Sequence, residues 1–454
     1  MGIRTLPGAT LLAAFAVLSP LLMAQNVERS GEHFAVSFAG GALPADLTGK
    51  LADQAVAAAE KSWPAVSKLL GMRKATPPTL HIYTDVAAYR KLEQTFAPKK
   101  LPQPFFVQLE EQEAHLLLWP ALSQQALEVV GLPGTTRQML LRAAAQLMAA
   151  QYSSAAAADP WLAEVFAYAV LESIVNPKHE FGRDPAYDSR RLRLCFDLEQ
   201  GKERELRGTY MDFSLPSSQK EADKQEELKC IMSQIMAGTK KGWARKLLPK
   251  ASKRASKRRK AAPAVVTRSK AVAAVLGKSW SKIESSFSTM CMKVQPLWRA
   301  GGATFSRHEL GMLAVGTKET AASCTAREPP DAVPYAIRAK CKLHPCEVDS
   351  FRVQLDWDQS SMIGCFFGVG EVSVRRWQTG ASEWQELAKG KAPINAGQSF
   401  EAAVEVTDTV RLLVNGHEYA KWDRGTRAMS GMWSINVNDC VLWIEQLRIE
   451  SLPK

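Results

Sequence analysis

The stretch TVRLLVNGHEYAKW, residues 409–422, decides the fold of the second half of the chain. Two strand-like runs flank the dipeptide Asn415-Gly416, and both of its residues adopt the positive φ angles of a tight hairpin turn with little strain. Eight segments of alternating or β-branched character crowd into about 120 residues: YAIRAKCKL, FRVQLDW, MIGCFFGV, EVSVRRW, FEAAVEV, TVRLLV, MWSINV and VLWIEQLRI. We therefore predict an all-β sandwich over residues 301–454.

The first half of the chain has a mixed pattern. Strand-like TLHIYTD at 79–85 runs into helical VAAYRKLEQTF at 86–96, whose first free amides Asp85 can cap. Two more extended runs, PFFVQLE and AHLLLWP, precede helix-rich sequence at 123–175. Since 454 residues exceed what one hydrophobic core usually organises, we predict a separate α+β domain, a small sheet plus helices, over residues 25–300.

Residues 1–24 have the pattern of a secretory signal peptide. A lone Arg4 precedes the apolar run LLAAFAVLSPLLMA, which is shorter than a spanning helix, and the small Ala24 before Gln25 suits cleavage. An uncleaved N-terminal anchor is the alternative, and no later segment is long and apolar enough to span a membrane. Either way we expect a secreted, periplasmic or cell-envelope protein. Such compartments permit disulfides among the eight cysteines, with the pairing left open.

The net charge of +12 comes from one segment, because residues 240–270 hold thirteen basic residues and no acidic one. We predict a basic, disordered insertion over residues 238–270, since like charges repel and the segment has little to bury. Its alternative role is to bind an anionic polymer of the cell envelope. The rest of the chain is close to neutral, which argues against a specific nucleic-acid partner.

The first domain resembles the gluzincin-type zinc metallopeptidases over about residues 30–300. Besides TLHIYTDVAAYRKL, the run WLAEVFAY at 161–168 is close to that family's WLxEGxAxY helix. The resemblance implies an HExxH helix just before it, where this chain reads LLRAAAQLMAAQY. Arg142, Ala143 and Gln146 then align with the first histidine, the general base and the second histidine, and Glu164 aligns with the third zinc ligand.

A guanidinium, a methyl group and a neutral amide neither bind zinc nor take a proton from zinc-bound water. No two of the seven histidines are four residues apart, so no HExxH occurs elsewhere. The resemblance therefore implies a pseudo-peptidase, and we expect no metal, no cofactor and no catalytic residue. Alternatively, LLRAAAQLMAA is a core helix of an unrelated α/β protein. In either case a pair between Arg142 and Glu164 would occupy the site.

The second half resembles concanavalin-like and laminin-G-like jelly-roll sandwiches over about residues 320–452, a resemblance that implies a glycan or protein ligand. Trp377 and Trp384 flank the turn QTGAS beside Arg375 and Arg376, and these four residues are the candidate ligand site. The alternative is that both indoles are packing residues. Trp357 in FRVQLDW and Trp443 in VLWIEQLRI each share a strand face with apolar residues, and both are expected in the sandwich core.

These patterns together predict an exported, non-catalytic protein in which an inactive peptidase-like domain is joined to a ligand-binding sandwich. Two rivals stay open. One is a hydrolase, a peptidase or glycosidase, whose active site the sequence does not reveal. The other is an envelope protein that binds polyanions through the basic insertion. No GxSxG nucleophile elbow, P-loop or ExDxxE glucanase strand is present in the chain.

Overall fold

A computed structural model describes most of the two halves of the chain. The predicted signal peptide, the centre of the basic segment and Trp357 lie outside the described residues. Those residues are 26–96, 103–119, 121–174, 219–239, 242–250, 268–285, 298–301, 305–308, 311–316, 322–326, 333–345, 350–356, 360–425, 427, 429, 433–438 and 440–453.

The first domain contains one small sheet and the described helices. Its strands are β1 (Asn26–Ser30), β2 (Ala35–Ala39), β3 (Thr79–Tyr83), β4 (Phe105–Gln108) and β5 (Glu113–Leu117). Its helices are α1 (Ala45–Glu60), α2 (Ser62–Leu70), α3 (Val86–Phe96), α4 (Gln124–Val130), α5 (Gly134–Tyr152), α6 (Ser154–Ala158), α7 (Pro160–Ile174), α8 (Gln219–Ala237), α9 (Trp243–Leu247), α10 (Arg268–Leu276) and α11 (Trp280–Ser285).

The sheet has the order β1-β2-β3-β5-β4, with a parallel centre formed by β2, β3 and β5. The two edge strands β1 and β4 are antiparallel to their neighbours. Asp85 caps α3 as expected, because its Oδ1 accepts the backbone N–H groups of Ala87 and Ala88 at 2.8 and 3.1 Å. Helix α5 packs against the sheet and α7, and every residue from 139 to 150 is buried.

Part of the segment predicted as a disordered insertion is packed. Helix α9 buries Trp243, Ala244 and Leu247 in the core of the first domain, and the Trp243 ring lies 6.4 Å from that of Phe166. The expectation of an open segment is therefore wrong for residues 243–248. Burial of the apolar residues of GWARKLL stabilises the fold by more free energy than the neighbouring cations cost. Those cations stay solvated because they can reach solvent from the same short helix.

The second domain is an all-β sandwich, which confirms the predicted α+β class with a C-terminal jelly-roll domain. Its strands are β6 (Trp298–Gly301), β7 (Phe305–His308), β8 (Gly311–Val315), β9 (Ala322–Ala326), β10 (Tyr335–Pro345), β11 (Ser350–Leu355), β12 (Ser361–Gly368), β13 (Glu371–Gln378), β14 (Gln385–Lys391), β15 (Ser399–Val406), β16 (Thr409–Val414), β17 (His417–Asp423), β18 (Ser434–Val437) and β19 (Cys440–Ser451).

Two seven-stranded antiparallel sheets face each other across the sandwich core. One has the order β17-β16-β15-β10-β19-β8-β7 and the other β14-β13-β12-β11-β18-β9-β6. The hairpin between β16 and β17 turns at Asn415 and Gly416, whose φ angles of 51° and 81° confirm the predicted turn. Within the described part of the chain, no helix is both long and apolar enough to cross a membrane.

Two buried cysteines of the sandwich core, Cys341 and Cys365, are free thiols. Burial raises the pKa of both thiols, which keeps them protonated. Neither side chain forms one of the disulfides that an oxidising compartment would permit.

A small apolar cluster connects the two domains. Ala126 and Val130 of α4 pack against Leu313 and Val441 of the sandwich, and half-buried Trp443 joins this cluster. The expectation that Trp443 lies in the sandwich core is wrong, because it points away from the core side of β19. Both faces of β19 are apolar at this point, so alternation could not distinguish an interface side chain from a core side chain.

The close packing of the two sheets at Gly390 can be tested by mutation. A Cβ atom there would lie 1.8 Å from the carbonyl oxygen of Tyr419, where edge strands β14 and β17 of opposite sheets meet. We expect Gly390→Ala to lower the free energy of unfolding by about 1–3 kcal/mol through this overlap. Lys391→Ala, which changes an exposed neighbour, should stay within about 0.5 kcal/mol of the natural protein in the same urea unfolding experiment.

Candidate functional site

A cleft of about 570 Å³, open to solvent, lies beneath the edge strand β4 of the first domain. Helices α5, α7 and α8 form its floor, and β4 forms one wall. The residues that line it are Glu93, Gln103, Phe105, Phe106, Val107, Leu109, Arg142, Gln146, Pro160, Glu164 and Glu226. The structure thus brings Arg142, Gln146 and Glu164, three of the four positions aligned with the zinc site, into one cleft. The fourth, Ala143, is fully buried in the core beside them.

Arg142 and Gln146 are one helical turn apart on α5, and each has less than 5% of its surface exposed. The Arg142 guanidinium lies 4.0 Å from the ring centroid of Tyr168 and 5.0 Å from that of Phe105. Its Nη2 donates to Glu226 Oε2 at 2.8 Å. Gln146 Nε2 and Arg142 Nε are buried without a hydrogen-bond partner, so the cleft contains two unsatisfied donors.

Lys229 of α8 supplies the central cation of the cleft. Its ammonium donates to Glu164 Oε2 and, at 2.8 Å, to Glu226 Oε1. Burial alone lowers the pKa of Lys229, but the charges and hydrogen bonds of Glu164 and Glu226 outweigh it and leave this pKa raised. Glu226 also accepts a short hydrogen bond from the Tyr168 hydroxyl. The ammonium therefore stays charged and bridges two carboxylates on different helices.

The predicted pair between Arg142 and Glu164 does not form. Arg142 pairs with Glu226, and Glu164 pairs with Lys229, so α8 stands between the two expected partners. Sequence reasoning missed Glu226 and Lys229, because their spacing of three residues on a charged helix looks like an ordinary surface pair. Nothing local indicates that this helix crosses the cleft.

The charged side chains of the cleft determine whether it can bind a metal ion. Two cations, Arg142 and Lys229, face two carboxylates, Glu164 and Glu226, so the charges balance without a metal. A divalent cation would have to displace the Lys229 ammonium and approach Arg142, and no imidazole is among the residues that line the cleft. The residues present do not fit zinc.

The sandwich carries a second cluster, on the outer face of the sheet that contains β11, β12 and β13. We call Arg352, Phe366, Arg375 and Trp384 the aromatic–arginine patch. The Trp384 and Phe366 rings meet edge to face at 5.2 Å, and the Arg352 guanidinium lies 5.2 Å from the Trp384 centroid. The Arg375 guanidinium lies 4.6 Å from the Phe366 centroid. Each aromatic ring is thus in contact with an arginine.

Unused hydrogen-bonding capacity distinguishes this patch from ordinary packing. Arg352 Nε is buried without a hydrogen-bond partner, and burial lowers the pKa of this guanidinium, which nevertheless remains charged. Beside it, Asn436 donates to Gln354 at 3.1 Å and to Ser434 at 2.8 Å, in a polar row that continues the same face. The outer face therefore combines rings, cations and polar groups.

Gly364 makes room for the patch. A Cβ atom there would lie 2.7 Å from the Phe366 ring and 2.9 Å from the Trp384 ring. Any larger residue at position 364 would displace Trp384, so the glycine sets how closely the indole lies to the sheet.

The four predicted ligand residues do not all lie together. Arg375 and Trp384 belong to the patch, and Trp377 lies on the same face of β13 as Arg375. Arg376 points to the other face, since its register partner is the core residue Ile363, and its guanidinium donates to Gln385 at 2.8 Å. Sequence reasoning missed Arg352 and Phe366, which alternation in FRVQLDW and MIGCFFGV could have placed on the outer face.

No family model matches this chain, and no curated protein sequence matches it. Several solved structures are similar in fold. The carbohydrate binding module CBM66 from Bacillus subtilis is 14% identical over 34% of this chain and 96% of its own, with a TM-score of 0.29. The Ca²⁺/Man-bound exoplasmic/lumenal domain of VIP36 is 12% identical over 35% and 84%, with a TM-score of 0.29. The galectin LEC-6 of Caenorhabditis elegans is 15% identical over 27% and 87%, with a TM-score of 0.22.

Lys229 provides a test of the cleft. We expect Lys229→Met to lower the free energy of unfolding by about 3 kcal/mol, because it leaves Glu164 and Glu226 side by side without their shared cation. Lys246→Met removes an exposed lysine from α9 and should change it by less than about 0.5 kcal/mol. Urea unfolding followed by circular dichroism measures both, and equal effects would contradict the ion-pair network.

Proposed function

We propose that this protein is an exported, non-catalytic binding protein whose sandwich binds a glycan through the aromatic–arginine patch. In this proposal, the first domain is a gluzincin-like domain that has exchanged its zinc site for an ion-pair network. The observation that carries the proposal is the patch itself, where a partly buried indole, two guanidinium groups and an unsatisfied donor share one outer face.

Sugars present apolar C–H faces and hydroxyl groups on the same molecule, and the patch offers partners for both. The Trp384 indole supplies a flat apolar surface, while the guanidinium groups of Arg352 and Arg375 supply donors in fixed geometry. Asn436 and Gln354, both buried, hydrogen-bond to each other beside Arg352 on the same side of the sheet. A small number of placed polar groups around aromatic side chains is the usual composition of a small-ligand site.

The cleft supports the non-catalytic part of the proposal. Hydrolysis by two carboxylates requires one acid and one base directed at the substrate. Here Glu164 and Glu226 both accept from Lys229, and Glu226 also accepts from Arg142 and Tyr168. Glu164 Oε2 and both oxygens of Glu226 are thus already engaged by these donors. The resemblance of WLAEVFAY to the family's helix remains the reason to relate this cleft to a peptidase.

Export is supported by the N-terminal sequence, where an apolar run ends at a small residue before Gln25. An exported binding protein would meet glycans of the cell envelope or the surroundings. In this proposal the basic segment has a secondary role in binding. The aromatic–arginine patch has cations of its own and is the principal binding element.

Glycan binding is tested with the purified chain on an array of neutral and acidic oligosaccharides that includes cell-wall fragments. We expect Trp384→Ala and Arg375→Ala each to weaken binding at least about tenfold, equivalent to about 1.4 kcal/mol. Arg376→Ala is the matched control, because it removes the same kind of side chain from the next position of β13 but from the other face. It should leave affinity unchanged.

Three outcomes would contradict this proposal. The first is an equal loss from Arg375→Ala and Arg376→Ala. The second is binding of protein partners alone, with no oligosaccharide retained. The third is binding only to polyanions, lost when lysines and arginines of residues 240–270 are neutralised, which would favour the envelope-polymer rival. Thermal melting of each variant checks that the sandwich is still folded.

The proposed alignment of the cleft residues with a zinc site can be tested separately. We expect the variant Arg142→His, Ala143→Glu, Gln146→His to bind zinc weakly, because Lys229 still occupies Glu164. Adding Lys229→Ala should free this carboxylate, and the fourfold variant should then hold one zinc more per chain than the natural protein. Elemental analysis after dialysis measures the difference. A fourfold variant that folds but gains no zinc would contradict the alignment, and peptide hydrolysis by the natural protein would favour the hydrolase rival.

A further inference from the structure

Two histidines meet on the sheet of the first domain, on neighbouring strands β3 and β5. His81 of β3 and His115 of β5 are register partners in a parallel pair. Their strand neighbours Leu80, Ile82 and Ala114 face the core, so both imidazoles point to the opposite face of the sheet. The rings are stacked, with centroids 4.8 Å apart and planes within 9°.

Glu113 completes a three-residue group. Its Oε2 lies 3.7 Å from Nε2 of His81 and 3.7 Å from Nε2 of His115, and one ligand atom from each residue lies within 4.8 Å of the others. A tetrahedral zinc site with bonds of about 2.0–2.1 Å separates its donor atoms by roughly 3.3 Å. The donors therefore need to approach each other by up to about 1.5 Å, and the His81 ring has to tilt, because the nitrogen lone pairs of two nearly parallel rings do not point at one metal.

The state of His81 indicates a missing ligand. Its Nε2 is buried and has no hydrogen-bond partner, an arrangement that costs free energy unless something binds there. Burial lowers the pKa of His81, although Glu113 and Glu28 oppose this, and burial together with His81 lowers the pKa of His115 to about 3.

His115 is held in a ligand-like orientation. Tyr83 Oη lies 3.1 Å from its Nδ1, and Gln108 Oε1 lies 2.8 Å from its Nε2. A metal-bound imidazole usually donates its other N–H to an oxygen, and Tyr83 is placed to accept it. Phe106, with its ring centroid 4.8 Å away, restricts the rotation of the ring. Gln108 Oε1 would then be released from Nε2 and is close enough to serve as a fourth ligand in place of water.

We propose that His81, His115 and Glu113 form a binding site for a divalent transition metal, with zinc the best match to two imidazoles and one carboxylate. Access is open from the side of Glu113, whose side chain is 41% exposed. The site is separate from the cleft, and it departs from the expectation of no metal. That expectation followed from the spacing of histidines along helices and does not extend to histidines that parallel strands bring together.

The test uses the full mature chain, stripped with a chelator, dialysed and titrated with Zn²⁺ by calorimetry and with Co²⁺ by absorption. We expect one Zn²⁺ per chain with micromolar or tighter affinity, and Co²⁺ bands typical of nitrogen and oxygen ligands in tetrahedral geometry. His81→Ala and Glu113→Gln should each weaken binding at least tenfold. Both change partly exposed side chains, so the domain should fold without them, whereas His115→Ala changes a buried one.

His417→Ala is the control, because His417 is an exposed histidine with a glutamate beside it on the sandwich. It should leave the affinity unchanged. Zinc should also raise the melting temperature of the natural protein and not that of His81→Ala. Absence of micromolar binding would overturn the proposal. Binding that survives both His81→Ala and Glu113→Gln would overturn it as well, since the metal would then sit elsewhere.

Discussion

Burial of one face of each sheet is the constraint on which the other features depend. Successive side chains of a strand point to opposite faces, so a core on one side places every second residue on the other. This parity puts His81 and His115 together outside the first sheet and Arg375 outside the second, while it turns Arg376 toward the core side. The two outer faces carry different side chains but have the same origin. In each sheet the apolar residues of a strand are buried on the core side, and the polar residues between them lie on the other side.

Buried charge shapes the other candidate site. Helix α5 is buried along its length, so Arg142 must be compensated inside the protein rather than by water. Helix α8 supplies this compensation through Glu226 and adds Lys229, which neutralises Glu164 as well. Two cations and two carboxylates are thus joined in one network of ion pairs, with an aromatic ring beside it. Such a set stabilises the junction of three helices and at the same time leaves no position for a metal.

The two domains therefore combine a cleft whose charges satisfy one another with two outer faces whose polar groups are incompletely satisfied. His81 Nε2 and Arg352 Nε are both buried and without a hydrogen-bond partner; the His81 ring stacks on His115, and the Arg352 guanidinium lies beside Trp384. Unsatisfied buried donors and acceptors are rare because they cost free energy, and a ligand that removes the cost is their simplest explanation. The cleft also keeps two such donors, Arg142 Nε and Gln146 Nε2, but its carboxylates are already paired with cations.

The sequence by itself determined the hairpin at Asn415-Gly416, the cap at Asp85 and the alternating strands of the sandwich, and it shows that no two histidines are four residues apart. These depend on neighbours a few residues apart, and local stereochemistry decides them. Only the tertiary structure decided the partners. Lys229 meets Glu164 across 65 residues and His115 meets His81 across 34, and packing chose α8 over the direct pair between Arg142 and Glu164. Such contacts depend on how the helices and strands pack against each other. Burial of the whole hydrophobic core determines this packing, and the local sequence pattern does not reveal it.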